Sequence, residues 1–207
     1  VALICTSGSA TLNYAPALAE AFYQKVPLLV LSADRPNEWI DQGENQSINQ
    51  FEVYKNYIKK SYQLPVHVET EKDLWYCNRI VAEALNTCLY PDFGPVHINI
   101  PLREPLYNLE ETTVKQTKII DFAKPVYALD TAKMKKLAEE WVGYDKILIV
   151  VGGLKERDTD LERILQKFSD QSNVVILKES ISNVYGENFI DQVDANIEVI
   201  QAIKSNK

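Results

Sequence analysis

The chain has 207 residues, 46% apolar and 25% charged, with a formal net charge of −7. This ordinary globular composition allows one large domain or two small ones, and the acidic balance argues against nucleic acid or an anionic membrane as the main partner. No apolar run reaches the length of a membrane span, so neither an integral membrane segment nor a signal peptide is expected.

Three cysteines, Cys5, Cys77 and Cys88, are an odd number at no metal-like spacing. They read as reduced thiols with structural roles, which implies a cytoplasmic protein. Residues 1–5 (VALIC) read as a buried parallel strand. A chain that opens inside such a strand, without an initiator Met, implies a piece of a longer protein. Residues 6–10, small and hydroxylated, form a tight turn. Residues 11–24 follow as a helix with Leu12, Ala15, Leu18, Ala19 and Phe22 on one stripe. Pro16 is tolerated near its start because first-turn amides have no intrahelical partner. Lys25-Val26-Pro27 ends the helix and Leu28–Leu31 is the next strand, which predicts a parallel pair with a right-handed crossover.

Residues 28–50 are the centre of interest. A continuous apolar run ends at Ser32-Ala33-Asp34-Arg35-Pro36, where proline stops the strand. Asn37, Gln42, Gly43, Asn45, Gln46, Asn49 and Gln50 then make a polar, mostly uncharged stretch. Beside one arginine, at the C-terminal end of a parallel strand, this suits a site for a polar ligand. The alternative reading is a plain surface loop.

Residues 50–57 look helical and 58–64 extended. A helix opens at Thr70, with Asp73 completing a weak capping box, and buries Trp75, Ile80, Val81, Ala84, Leu85 and Cys88. Residues 95–101 are a strand between two prolines. His97 and Asn99 share one of its faces, as a catalytic imidazole or as a polar pair that hydrogen-bonds a neighbouring loop. His67 has no visible partner. Residues 102–122 lose all periodicity and have linker composition.

A second α/β unit begins near Ala123. Asp130 or Thr131 caps a helix, KILIVV (146–151) is a buried strand, and Gly152-Gly153 turns after it. Leu161, Ile164, Leu165 and Phe168 mark a helix, 173–177 a strand, and 196–202 the start of a last helix. The predicted fold class is α/β, with parallel sheets flanked by helices in two consecutive α/β units. The loops 6–10, 33–50 and 152–158 all follow parallel strands and are expected at one sheet edge. The first has free amides and hydroxyls that suit an anion or polar heterocycle, or are plain helix caps. The third does not complete a dinucleotide fingerprint and reads as a tight turn. No catalytic triad, metal-ligand cluster or P-loop is legible. The residues by themselves describe a polar, arginine-containing site for a small anionic ligand.

The motifs carry a further resemblance. Cys5-Thr6-Ser7-Gly8-Ser9-Ala10, Asn13-Tyr14-Ala15-Pro16-Ala17, Ala19-Glu20-Ala21 and Val26-Pro27-Leu28 resemble the pyrimidine-binding domain of thiamine-diphosphate enzymes. Ser32-Ala33-Asp34-Arg35-Pro36 with Glu38, Asp41, Gly43, Asn45-Gln46 and Asn49-Gln50 is similar to one group among them. So are His97-Ile98-Asn99, Pro101 and Glu104-Pro105-Leu106-Tyr107. The group is the 2-succinyl-5-enolpyruvyl-6-hydroxy-3-cyclohexene-1-carboxylate synthase family of menaquinone biosynthesis. The resemblance covers residues 1–107. It implies that 1–110 is the C-terminal part of a pyrimidine-binding domain, 111–123 a linker, and 124–207 the N-terminal part of a central α/β domain.

The family resemblance implies a carboligase that decarboxylates 2-oxoglutarate on thiamine diphosphate and adds the succinyl-semialdehyde unit to isochorismate. Arg35, Asn45 and Gln46 are the implied substrate-binding residues. Thr6, Ser7, Gly8 and Ser9 are implied to lie beside the aminopyrimidine end of the cofactor. The activating glutamate is expected upstream of this chain and the Mg2+–diphosphate site downstream, so no catalytic or metal residue is assigned within it and the chain alone is expected to be inactive. The parent is implied to be a homodimer or dimer of dimers. Ser9 stands where many members have Thr, and Glu44 where Ala is usual; Glu44 adds a negative charge beside a site meant for dianions, so it must point away or the substrate reading is weakened. The alternatives are another thiamine-diphosphate carboligase or decarboxylase, or a non-catalytic α/β binding module.

Overall fold

Two strands carry the first sheet. In the computed structural model, which describes residues 1–104, 117–120, 122, 123, 125 and 127–205, β1 (Ala2–Cys5), β2 (Leu29–Asp34), β3 (Ser61–Gln63) and β4 (Val96–Pro101) pair in parallel in the order β1-β2-β4-β3. The inner positions fall to β2 and β4, the segments with apolar residues on both faces, as expected for a covered parallel sheet. Val30 lies opposite His97 and Ser32 opposite Asn99, and parallel partners project from the same face.

On that face Leu28 and Val30 pack with Leu18 and Ala21 of α1 (Ala15–Tyr23) and with Tyr54 and Ile58. On the other, Val96, Ile98 and Tyr62 pack with Ile80, Ala84 and Cys88 of α2 (Glu71–Leu89). Toward the C-terminal ends of β2 and β4 the first face turns polar, through Ser32, Asp34, His97 and Asn99, while remaining buried. The capping box expected at Thr70 forms: its hydroxyl accepts from the Asp73 amide, and the Asp73 carboxylate accepts from the Thr70 amide. At the other end of α2, the Lys59 ammonium donates to the carbonyls of Thr87 and Tyr90, satisfying groups a helix terminus leaves unpaired.

Three local expectations are corrected. The helix expected over 11–24 starts as a 3-10 helix, Gly8–Tyr14, and becomes α-helical only at Ala15. Pro16 has no amide to offer Leu12, and the Ala15 amide takes the Leu12 carbonyl in a tighter turn. Residues 50–57 are turns with a short 3-10 helix, Lys55–Tyr57, rather than a helix. Glu52 adopts φ 60°, which a right-handed helix cannot contain. β1 is an edge strand rather than a buried one, pairing only with β2 among the described residues, with Ile4 73% exposed.

The chain divides into two compact units, Val1–Val126 and Tyr127–Lys207. The linker expected over 111–123 and the motif residues Pro105, Leu106 and Tyr107 lie wholly or partly outside the described residues. Where description resumes, the Ile120 carbonyl accepts from Asn86 of α2 and the Phe122 ring meets that of Tyr90.

The second unit has its own parallel sheet, β5 (Ile147–Val151), β6 (Val174–Lys178) and β7 (Phe189–Ile190), in that order. Asp130 caps α3 (Thr131–Val142) and Asp158 caps α4 (Thr159–Ser169); α5 (Val193–Ser205) begins three residues ahead of the expected 196. Val151, Val174, Ile176, Leu165, Trp141 and Phe168 form one core cluster. The buried strand expected at KILIVV is covered on one face only: Leu148 is 57% and Val150 64% exposed.

Candidate functional site

The site is built where β2 and β4 end. Ser32 sits opposite Asn99 at the register above, so its hydroxyl reaches both Asn99 Oδ1 at 3.0 Å and His97 Nε2 at 2.7 Å. His97 Nδ1 lies 3.3 Å from the Ser61 hydroxyl on β3, and Asn99 Nδ2 donates to Asp34 Oδ2 at 2.7 Å. That last bond fixes the amide orientation of Asn99 and leaves its Oδ1 as an acceptor. Ser32 donates there, so Nε2 of His97 is the donor toward Ser32.

The two readings of His97 are thereby separated. It is fully buried, and burial pushes its pKa down to about 4, so it is neutral at pH 7. Its ring bridges β2 and β3 through Ser32 and Ser61, and of the His97 and Asn99 pair only Asn99 bonds a neighbouring loop, through Gln50. Asp34, also buried, is held above the usual carboxylate range by desolvation, against the opposing bonds from Asn99 and the Arg35 amide. Cys5, Cys77 and Cys88 are free thiols whose pKa values burial raises, which removes them from nucleophilic roles near neutral pH.

Gln50 is the residue whose importance the sequence did not single out. It is completely buried. Its Nε2 donates to the Ala33 carbonyl at 2.8 Å and Asn99 Oδ1 at 3.1 Å, while its Oε1 accepts from the Gly8 amide at 2.5 Å. One side chain thus joins β2, β4 and the turn after β1. The free amide expected in that turn is, at Gly8, already taken. Gly8 has φ 81°, and a Cβ there would come 2.8 Å from the Gln46 carbonyl. Only glycine allows this approach of the two loops. Gln46 itself is held at φ 56°, an uncommon conformation for a side-chain-bearing residue that marks a constrained loop.

The predicted residues fall into two groups. Gly8 and Ser7 are buried; Thr6 and Ser9 are exposed beside them. Asn45 and Gln46 are exposed on the loop whose backbone packs on Gly8. The side chains of Thr6, Ser9, Asn45 and Gln46 make no hydrogen bond among the described residues. Two hydroxyls and two amides, with both donors and acceptors, thus flank one backbone contact. Arg35 belongs to a neighbouring pocket of about 330 Å3, lined by Arg35, Pro36, Trp39, Glu44, Leu102, Arg103 and Glu104. Its Nη1 contacts Glu104 at 2.7 Å and its Nη2 lies 3.8 Å from Glu44, while its Nε is buried without a partner. Glu44 therefore does not point away: it faces the guanidinium. With Glu104 it puts two carboxylates on one guanidinium, so a carboxylate ligand has to displace them, which counts against the expected substrate-binding role of Arg35.

The third loop is placed differently. It follows β5, which pairs with β6 in the second sheet, so it does not share the edge formed by the first two. Arg157 grips the mostly buried Glu162 through two nitrogens at 2.9–3.1 Å, and Glu162 also accepts from the Tyr185 amide. The loop is thus held against α4 and the segment after β6, where Asn183 also donates to the Leu154 carbonyl. Among the described residues no group of three or more His, Cys, Asp or Glu is placed to hold a metal ion, and no helix is long and apolar enough to cross a membrane.

Comparison with known proteins agrees with this geometry. The thiamine pyrophosphate enzyme N-terminal TPP binding domain matches residues 1–53, the segment from β1 through the Arg35 and Gln50 loop. The 2-succinyl-5-enolpyruvyl-6-hydroxy-3-cyclohexene-1-carboxylate synthase of Desulfotalea psychrophila is 40% identical over 198 residues, 94% of this chain and 36% of that protein. The synthase of the same name from Flavobacterium psychrophilum is 41% identical over 200 residues, 95% of this chain and 34% of its own length. A solved Mycobacterium smegmatis protein, assigned to the thiamin diphosphate-dependent enzymes, superposes with a TM-score of 0.60 over 87% of this chain and 33% of its own. At 16% identity that likeness speaks for the fold alone. The chain spans about a third of the length of the curated relatives it matches. It belongs to the 2-succinyl-5-enolpyruvyl-6-hydroxy-3-cyclohexene-1-carboxylate synthase family of thiamine-diphosphate-dependent enzymes.

Proposed function

We propose that this chain supplies part of the active site of an enzyme that decarboxylates 2-oxoglutarate and adds the succinyl-semialdehyde unit to isochorismate. The observation that carries the reading is the contact of two loops, with Gly8 against the Gln46 backbone and Gln50 bonded across to the Gly8 amide. In this reading 1–110 is part of the pyrimidine-binding domain, 111–123 a linker and 124–207 part of the central domain. Thiamine diphosphate, when bound, supplies the stabilised carbanion through which the carbon–carbon bond is broken and made.

The roles of this chain's residues follow from their chemistry. Thr6, Ser7, Gly8 and Ser9 flank the aminopyrimidine and orient it. Asn45 and Gln46 hydrogen-bond substrate, and Arg35 binds a substrate carboxylate, for which a planar guanidinium is suited. Trp39 and Leu102 give the Arg35 pocket its apolar wall. The activating glutamate and the Mg2+ and diphosphate ligands come from segments outside this chain. The enzyme is cytoplasmic and works as a homodimer or dimer of dimers.

The test is turnover. A longer enzyme carrying this chain is expected to form the adduct from 2-oxoglutarate and isochorismate, and the 207-residue chain alone to decarboxylate nothing. Turnover of a different 2-oxo acid with exclusion of 2-oxoglutarate would favour another thiamine-diphosphate carboligase.

A further inference from the structure

The Arg35 pocket contains a second guanidinium to which neither the sequence motifs nor the family resemblance gives a role. Arg103 follows β4, lines the same 330 Å3 pocket as Arg35, and pairs with Glu38. Each arginine is thus met by a carboxylate of this chain: Arg35 by Glu104 and Glu44, Arg103 by Glu38. The three glutamates are between 38% and 62% exposed. Ion pairs of that exposure contribute little to stability and exchange at small cost. The arginine side of the Arg35 pairs is different: its side chain is only 21% exposed, and its Nε is buried without a partner. A buried, under-satisfied donor on a largely buried guanidinium, with exposed carboxylates as its present partners, suits a site that exchanges one carboxylate for another.

We propose that Arg103 is a second carboxylate-binding residue of the Arg35 pocket, that the two arginines together select ligands carrying two carboxylates over ligands carrying one, and that Glu104 and Glu38 hold the guanidinia until such a ligand replaces them. The proposal rests on the reading of Arg35 as a carboxylate-binding residue and adds a determinant of charge number to it. A monoanion engages one arginine and leaves the other on its glutamate. A dianion releases both glutamates, so its binding gains two charge-assisted contacts where the monoanion gains one.

The experiment is a calorimetric titration of the 207-residue chain with succinate and with succinamate, which has the same length and one charge fewer. The chain is expected to bind succinate about ten-fold more tightly, the effect of one charge-assisted hydrogen bond. Arg103→Ala is expected to abolish that preference, weakening succinate about ten-fold more than it weakens succinamate. Glu38→Gln, which removes the partner of Arg103, is expected to tighten succinate more than succinamate, which a merely structural Arg103 would not explain. Circular dichroism of each variant establishes that the fold is intact. Arg103→Ala with the succinate preference intact overturns the proposal but leaves Arg35 in place as the carboxylate site. Arg35→Ala without effect on either ligand, or absence of succinate binding by the unaltered chain, overturns the reading of Arg35 as well.

Discussion

The two sheets begin from nearly the same sequence signal and end differently. LLVL in β2 and ILIVV in β5 are both continuous apolar runs followed by a turn. In the first unit the run is covered from both sides, and every residue of β4 beside it is buried except Ile100. In the second, Leu148 and Val150 are left open while Ile176 beside them is fully buried from the other face. A continuous apolar run therefore records that a strand is suited to burial on both faces; it does not say that this chain supplies both covers. The strand ends differ too. After β2 a buried polar network ties the loop to β4 and to the turn after β1, whereas after β5 the loop is tied to α4 through Arg157–Glu162 and to residues 181–183 through Leu154.

The contrast predicts a gradient of effects. Ile98→Ala, in the doubly covered sheet, should cost about 4 kcal/mol by transfer and cavity terms together, whereas Val150→Ala should cost less than about 0.5 kcal/mol because little is buried. Urea denaturation of both variants measures this, and equal losses would break the comparison. Gln50→Leu should come next. It keeps the volume but strands the Gly8 amide and the Ala33 carbonyl, for a loss of roughly 3 kcal/mol. Faster hydrogen exchange at the Gly8 amide should accompany it, and an unchanged amide would show that the loops are held in register by something else.

A pH titration gives the next effect. His97 has a folded pKa of about 4 against an ordinary 6.5. The unfolded chain therefore binds this proton first, and the stability it contributes is complete above pH 6.5 and is lost as pH falls toward 4. The full shift corresponds to roughly 3 kcal/mol. Asp34, whose folded pKa is raised, acts with the opposite sign and returns part of this as it protonates. Stability should thus fall between pH 6.5 and about 4.5 by roughly 2 kcal/mol. His97→Asn should flatten that slope, and a slope surviving the substitution would assign the proton to another group.

Much of the first unit was legible. β2 and β4 announce themselves by apolar runs bounded by prolines, and α2 by the Thr70–Asp73 box. What failed depended on partners distant in sequence. Nothing local says that β1 is an edge, that Glu52 breaks a helix by turning left-handed, or that Gln50 reaches back 42 residues to Gly8. The site was visible as a cluster of polar residue types. Its electrostatics were not: Glu44 and Glu104 meet Arg35 only because the loop after β2 and the segment after β4 leave adjacent strands on the same side.

The central claim is that Arg35, at the end of the covered sheet, binds a substrate carboxylate beside the cofactor turn. The most direct measurement is steady-state kinetics of Arg35→Ala in a longer enzyme carrying this chain, with Arg157→Ala from the loop after β5 as the control. Arg35→Ala is expected to raise KM for a carboxylate substrate ten-fold or more, about 1.4 kcal/mol of lost binding, with Arg157→Ala unchanged. Kinetics of Arg35→Ala indistinguishable from those of the unaltered enzyme would contradict it.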